Sequence, residues 1–305
     1  MRKSSGLKRQ KVRTSPTIRR YFEAFLLDGQ SRGLSPKTIA FYRDTLIVFL
    51  RNFGDWPPEE LTADDLKNFL RHQFERGMSH GGVHAVWRAV RAFLNWLRAE
   101  GVEALDPKSV KGPRLVVGEV PVIGEAEVRR LLEAAETSST PLRDRALILA
   151  LWDTASRASE VLGLRLDDVQ PEGLRVRRKG GMWQVLPVSS VTRRAIRVYV
   201  QAERPMSDSD RLFLTRRGDP MSYEALRSML WRLSRAAGQA YKPPHSFRRG
   251  AATTMVRDGL NPFALQTLMG HRTPAMTQRY VRLAQADLSV LHAEHSPVSR
   301  LLRRK

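Results

Sequence analysis

Apolar residues recur along the first third of the chain with the spacing of helices that bury one face. Ile18, Tyr21, Phe22, Phe25 and Leu26 form the first stripe, after a Ser15-Pro16 start in which serine caps and proline takes the first helical position. Ser35-Pro36 repeats that start, and Ile39, Tyr42, Leu46, Phe49, Leu50 and Phe53 carry a second stripe that stops at Gly54. A third helix opens at Leu61-Thr62, where Asp65 completes a capping-box-like pair and Leu66 is placed to staple back onto Leu61. Phe69, Leu70 and Phe74 continue it to Gly77. From Ser79 onward, Val83, Val86, Trp87, Val90, Leu94 and Leu97 face one way until Gly101. Four amphipathic helices on short joints predict a compact bundle over residues 15–105.

The next stretch, DPKSVKGPRLVVGEVP over residues 106–121, holds three prolines and two glycines with no sustained periodicity, and reads as a linker. A second domain, residues 122–305, follows. Val128, Leu131, Leu132 and Ala135 mark one helix there, and Leu142, Ala146, Leu149 and Ala150 mark another that starts at Pro141 and runs toward Thr154-Ala155-Ser156-Arg157. Residues 174–178 and 182–188 are β-rich and flank Lys179-Gly180-Gly181, which predicts a hairpin with Lys179 at its tip. Arg211 to Thr215 adds a candidate short strand, and Tyr223, Leu226, Leu230 and Leu233 restore the helical period. The predicted fold class is therefore mainly α, a four-helix bundle followed by a mostly helical domain with a small antiparallel β-sheet. The chain contains no internal repeat and no low-complexity stretch.

Composition adds a partner to this outline. A net charge of +21 and a pI near 11.1 create a positive field suited to a polyanion, so nucleic acid is the first expectation and an anionic membrane surface the second. No apolar run approaches the roughly 18 residues of a membrane span, and no surface helix stands out as a membrane binder. Residues 1–14 are basic without the apolar region of a secretory signal, and read as a basic arm. Cysteine is absent, which removes disulfides, thiolate metal sites and cysteine nucleophiles, and a cytoplasmic location is expected. On the fourth helix Arg88, Arg91 and Asn95 lie beside the apolar stripe at i, i+3, i+7, a spacing that suits a DNA groove as well as it suits a solvated face.

The chemistry concentrates in HSFRRGAATTMVRDGLNPFALQTLMGHRTPAMTQRY, His245 to Tyr280. His245 and Arg248 stand one turn apart, and His271 precedes Tyr280 by nine positions. Guanidinium and imidazole suit a phosphate, and a phenol can attack one. Singly, each candidate has an ordinary explanation. Arg157 and Glu160 fit a surface i, i+3 ion pair, Lys179 a solvated turn, and Tyr280 a core position. His80 with His84 and His292 with His295 have metal-ligand spacing, but neither pair has an HExxH motif or an acidic cluster beside it, and no GxxxxGK[ST] loop is present. No metal or other cofactor is expected.

Taken in order, these pieces resemble the tyrosine recombinase, or phage integrase, family, and in particular its Xer-type two-domain members, over about residues 15–290. Thr154-Ala155-Ser156-Arg157-Ala158-Ser159-Glu160-Val161 with Leu164 is similar to the first-arginine motif T-G-L-R-x-S-E-L-x-x-L. Lys179 in RRKGG matches the hairpin lysine, His245-Ser246-Phe247-Arg248 the H-x-L-R box, Met269-Gly270-His271 the L-G-H box, and Tyr280 the nucleophile position. GLSPKTIAFYRDTL resembles the opening of the family's core-binding domain. Four positions depart from the pattern. Ala155-Ser156 replaces Gly-Leu, Arg249 stands where many members have His, and Met269 replaces Leu.

The resemblance implies a SAM-like core-binding domain ahead of a catalytic domain, the two clamping a DNA duplex. Attack on a phosphodiester builds negative charge on its equatorial oxygens, which Arg157 and Arg248 can neutralise by bidentate hydrogen bonds. Tyr280 would attack phosphorus to give a 3′-phosphotyrosyl enzyme. A phenol with an ordinary pKa of about 10 needs help in losing its proton, and His245 is the candidate base. His271 would donate to the phosphate, Lys179 would protonate the departing 5′ oxygen, and Glu160 would hold an arginine in place; Arg249 has no assigned role. The expected activity is site-specific recombination through a Holliday junction, by a homotetramer or a hetero-tetramer with a paralogue, for integration, excision or dimer resolution. The tail, residues 287–305, would dock on a neighbouring protomer or pack locally. Alternatives are a type IB topoisomerase or telomere resolvase, and a DNA-binding architectural protein that does not cleave.

Overall fold

The computed structural model describes residues 16–114, 121–178 and 181–270, and beyond these residues 273, 277, 278, 280, 292 and 296–298. Packing of the backbone divides the chain into two compact units, residues 1–118 and 119–305.

The first unit consists of α1 (Ile18–Ser31), α2 (Pro36–Phe53), α3 (Ala63–Glu75) and α4 (His80–Ala99). The expected caps stand at three of the four starts. Ser35 Oγ accepts from the Thr38 amide at 3.2 Å, and Ser79 Oγ accepts from the Gly82 amide at 3.2 Å. Thr62 and Asp65 form the reciprocal box, with Thr62 Oγ1 accepting from the Asp65 amide at 3.2 Å and the Asp65 carboxylate accepting from the Thr62 amide at 3.0 Å. The first helix differs. It starts at Ile18 after Thr17, two residues beyond the predicted proline, and no side chain caps it. The turn after α2 supplies the acceptors instead, since the amides of Ile18 and Arg19 donate to the carbonyls of Trp56 and Gly54, each at 2.8 Å.

The four stripes meet in an aromatic-rich core. Phe22 meets Phe93 edge-on at 6.3 Å, and Phe49 meets Phe69 edge-on at 5.7 Å. Such pairs add about 0.5–1.5 kcal/mol each beyond the area they bury. The segment read as a linker is structured at its start. Asp106 accepts from the Lys108 amide to open a short 3-10 turn, Val110 is buried in the same core, and Gly112 lies so close to Trp87 that a Cβ there would come within 2.2 Å of the indole nitrogen.

The second unit contains α5 (Glu125–Glu136), α6 (Pro141–Thr154), α7 (Ala158–Leu162), β1 (Val169–Gln170), β2 (Gly173–Arg177), β3 (Trp183–Leu186), α8 (Ser190–Ala202), α9 (Tyr223–Ala236), α10 (Pro244–Arg257) and α11 (Pro262–Met269). Helix α6 is the centre, packed by α5, α8 and α10, and Ala146, Leu147, Ile148, Ala150 and Leu151 are fully buried on it. The strands form one antiparallel sheet in the order β1-β2-β3. Leu174, Val176 and Leu186 point to the core, while Arg175, Arg177, Trp183 and Val185 form the outer face.

Two features differ from the sequence reading. Residues 211–215 are not a strand of this sheet. They make isolated bridges from Arg211 to Arg165 and from Leu214 to Pro220, because the Leu214 amide donates to the Tyr199 hydroxyl at 3.1 Å and Pro220 has no amide hydrogen to extend a ladder. The third strand is the two-residue β1 instead. Helix α8 was not anticipated; Ser189 caps it by accepting from the Thr192 amide, and Ile196 and Tyr199 bury its apolar side.

Candidate active site

Helix α6 ends on Ala155, the one non-glycine residue with a left-handed backbone among the described residues, at φ 48°. Thr154 stabilises the turn from both sides, its hydroxyl donating to the Ala150 carbonyl at 2.7 Å and accepting from the Ser156 amide at 3.2 Å. The turn delivers Arg157 to the start of α7, where Glu160 accepts from the Arg157 amide at 2.9 Å and from its Nη1 at 2.8 Å. The pair that could have been a surface ion pair is thus anchored inside the protein. The Glu160 side chain is 4% exposed and that of Arg157 28%.

A second guanidinium reaches the same carboxylate. Arg178 follows β2 and donates from Nη1 to Glu160 Oε2 at 2.6 Å. Its Nε donates to Gln184 Oε1 at 3.0 Å, and its Nη2 donates to the Leu268 carbonyl near the end of α11. Gly270 closes α11 with a left-handed backbone, φ 62°, and a Cβ at that position would stand 3.1 Å from Arg178 Nε. Glycine is required there both by backbone conformation and by this close approach.

Helix α10 starts on prolines and carries His245 and Arg248 one turn apart. Gly250 lets it approach both α6 and the segment before α5, since a Cβ there would come within 2.7 Å of the Trp152 ring and 2.1 Å of the Ile123 carbonyl. Arg248 is buried, and its two terminal nitrogens donate to the carbonyls of Ala155 and Met269, each at 2.8 Å. One guanidinium therefore ties the end of α6 to the end of α11. Tyr280 is buried in a small cluster with Ala155, Ala251, Ala252, Leu265 and Met269, which puts the phenol beside both helix ends.

The electrostatics of the site are those of excess positive charge. Burial, and then the Arg157 guanidinium, push Arg248 down to about 10, against the opposing pull of Tyr280 and Glu160. Burial lowers Arg178 as well, with Glu160 opposing. His245 is lowered below its ordinary value first by burial, then by Arg249, Arg248 and Arg157, so its imidazole is neutral at pH 7. Arg157 and Arg178 both donate to Glu160, and the same carboxylate opposes the depression of Arg248, so positive charge outweighs negative at the site.

Of the residues singled out from sequence, Arg157, Glu160, His245, Arg248 and Tyr280 come together around the ends of α6, α10 and α11. Lys179 and His271 lie outside the described residues. Arg88, Arg91 and Asn95 are exposed on α4 of the first unit, with the Arg88 guanidinium 5.6 Å from the centre of the Phe41 ring. Arg178 was missed, although strand alternation contains a signal for it: Leu174 and Val176 point inward, so the next inward position is 178. A charged residue at an inward position asks for a buried partner. Among the described residues no group of three His, Cys, Asp or Glu could hold a metal ion, and no helix is long and apolar enough to cross a membrane.

Comparison with known proteins agrees with this geometry. The model of the phage integrase family matches residues 121–287, and that of the phage integrase N-terminal SAM-like domain matches residues 21–104. The tyrosine recombinase XerC of Roseiflexus castenholzii is 30% identical over 292 residues, covering 90% of this chain and 92% of that protein. The tyrosine recombinase XerD of Corynebacterium glutamicum is 30% identical over 281 residues, covering 84% and 91%. Among solved structures, a lambda integrase tetramer bound to a Holliday junction superposes with a TM-score of 0.74 at 18% identity, over 90% of this chain and 82% of that one. The family model alone spans more than half of the sequence, and the chain belongs to the phage integrase family, as a tyrosine recombinase of the Xer type.

Proposed function

We propose that Arg157, Lys179, His245, Arg248, His271 and Tyr280 carry out the DNA strand exchange of a site-specific recombinase, with Glu160 holding Arg157 in place. The observation that supports this most is Arg248, a buried guanidinium fixed on two backbone carbonyls at 2.8 Å, next to Arg157 and close to Tyr280. Such a group loses little freedom when the transition state forms, so its charge acts at full strength on the equatorial phosphate oxygens.

The reaction balances within these residues. The Tyr280 oxygen bonds to phosphorus, the bond from phosphorus to the 5′ oxygen breaks, His245 takes the phenolic proton, and Lys179 gives a proton to the leaving 5′ oxygen. His271 donates to the phosphate. The 3′-phosphotyrosyl link conserves the bond energy, and attack by the 5′ hydroxyl of a second strand rejoins the DNA. The enzyme is a tyrosine site-specific recombinase acting on double-stranded DNA, as a tetramer, through a Holliday junction. The net charge of +21 suits that partner. Arg88, Arg91 and Asn95 on α4 are proposed DNA contacts of the first unit, which we take as residues 15–105, with a basic arm before it and a linker over 106–121. A cytoplasmic location fits this activity.

The test uses genomic DNA fragments, because the target sequence is not known. Wild-type protein and Tyr280→Phe are incubated with nicked fragments that trap the cleaved state, and DNA covalently bound to protein is recovered after denaturation and sequenced. An adduct at defined sites that disappears in Tyr280→Phe is expected. Adducts of equal yield with both proteins refute the assignment of the nucleophile. Recombination between two recovered sites, without relaxation of a supercoiled plasmid that lacks them, separates this reading from a type IB topoisomerase.

A further inference from the structure

Arg178 has no role in the reaction set out above, yet it is buried and bonded on every side-chain nitrogen. Its side chain is 5% exposed. Each of its three nitrogens donates to a different element: Nη1 to Glu160 on α7, Nε to Gln184 on β3, and Nη2 to the Leu268 carbonyl of α11. Its backbone is engaged too. The Arg178 amide donates to the Met182 carbonyl at 2.7 Å, and its carbonyl accepts from the Gly181 amide at 3.0 Å, so both main-chain groups close the turn between β2 and β3. Gln184 adds a second link, its Nε2 donating to the Thr267 carbonyl at 3.1 Å.

This arrangement excludes one role and favours another. Nitrogens committed to the protein in three directions do not present a bidentate face to a phosphate, unlike Arg157, which is partly exposed and spends one terminal nitrogen on Glu160. What Arg178 does hold is the root of the turn. The residue that follows it in the chain is Lys179, and a lysine side chain has four rotatable bonds whose freedom must be restrained before it can deliver a proton.

We propose that Arg178 is a positioning residue that anchors the β2–β3 turn to α7 and α11, and thereby sets Lys179 for protonation of the leaving 5′ oxygen. The inference rests on the functional reading above. It makes Arg178 matter for one half of the chemistry, departure of the 5′ oxygen, and not for DNA binding or for attack by Tyr280.

A leaving group that needs no proton isolates that half. Single-turnover adduct formation is measured on a nicked duplex carrying a recovered site, and on the same duplex with sulfur in place of the bridging 5′ oxygen, for wild type, Lys179→Ala, Arg178→Met, Arg178→Lys and Gln184→Met. Lys179→Ala is expected to lose about a hundredfold on oxygen and to recover most of it on sulfur. Arg178→Met should show the same pattern with DNA affinity unchanged, Arg178→Lys should restore only part of the rate, and Gln184→Met should show a weaker version. Equal losses on oxygen and sulfur in Arg178→Met, while Lys179→Ala is rescued, overturn the proposal and leave Arg178 a purely structural residue. Should Arg178→Met fail to fold by circular dichroism, Gln184→Met decides by the same ratio. A Lys179→Ala protein that sulfur does not rescue overturns the assignment of the acid, and the proposal with it.

Discussion

Replacing Arg248 by lysine keeps a cation at the centre of the site and changes almost everything else about it. The guanidinium spans the carbonyls of Ala155 and Met269 at 2.8 Å each. An ammonium is a point donor and cannot hold both carbonyls and a phosphate in one plane. Losing one preorganised donor of this kind costs about 10²–10³ in rate, equivalent to about 2.7–4 kcal/mol of transition-state stabilisation. A second effect is specific to this environment. Burial and Arg157 push Arg248 down to about 10. The same surroundings push an ammonium down from its lower ordinary value of about 10.4. The variant therefore loses its charge at a lower pH than wild type. The assay is adduct formation at subsaturating DNA from pH 6.5 to 9.5, where the rate reports the free enzyme, and the quantity read is the ratio of Arg248→Lys to wild type. It should start about a hundredfold below one and fall further toward the alkaline end of the range. A flat ratio refutes the electrostatic argument, and a ratio near one at pH 7 refutes the role of the planar guanidinium.

Two further predictions follow from individual residues. His245 is lowered, by burial foremost, so the acid limb of wild-type cleavage at subsaturating DNA should lie below 6.5, and Arg249→Ala should move it upward; a wild-type limb at or above 6.5 removes His245 as the base. Because the folded value lies below the unfolded one, the stability linked to His245 is present above 6.5 and is lost as pH falls from there, which thermal melts from pH 7 to 5 on wild type and His245→Gln would register as converging curves. Ala155 has φ 48°, and for Ala155→Gly three terms nearly cancel: relief of about 1–2 kcal/mol of left-handed strain, against about 0.5–1 of backbone entropy and about 0.8 for the buried methyl. That variant should melt close to wild type, which accounts for alanine at a position where the family pattern has glycine. Ala155→Val should lose about 2–5 kcal/mol through combined strain and overpacking, and a valine variant as stable as wild type would contradict the backbone argument.

The parts of the fold that were legible are those in which local and tertiary demands coincide. In α2, α3 and α4 the capping residue, the apolar period and the terminating glycine agree, and the helices start where those signals place them. The start of α1 moved because its amides find acceptors in residues 54 and 56, a partner that no local signal encodes. The strand expected at residues 211–215 has the right apolar residues, all buried at Leu212, Phe213 and Leu214, but its amide partners include a tyrosine hydroxyl and its neighbour is a proline. Two residues of β1 are too few to carry a period, and in α8 the apolar positions are diluted by Arg193, Arg194 and Arg197. In the site, Arg157, Glu160, His245, Arg248 and Tyr280 were legible because each belongs to a short motif. Arg178 was not, because its partners, at Glu160, Gln184 and Leu268, are distributed over three elements.

That distribution bears on why the site is built from both ends of the second unit. Burying two guanidiniums beside a third with a single carboxylate is costly unless backbone carbonyls take up the remaining donors. Here the carbonyls come from helix C-termini, Ala155 at the end of α6 and Leu268 and Met269 at the end of α11, where the dipole is negative and the last acceptors have no intrahelical partner. The same contacts that make the arginines tolerable therefore close α6 and α11. Burial still holds Arg248 and Arg178 below the ordinary guanidinium value, against the opposing pull of Glu160. On the reading proposed above, an arriving phosphodiester supplies further negative charge, and its equatorial oxygens carry more of it in the transition state than in the ground state. The positive charge of the free protein then acts at the bond-breaking step, and a second buried carboxylate near Arg248, by neutralising that charge, should slow adduct formation.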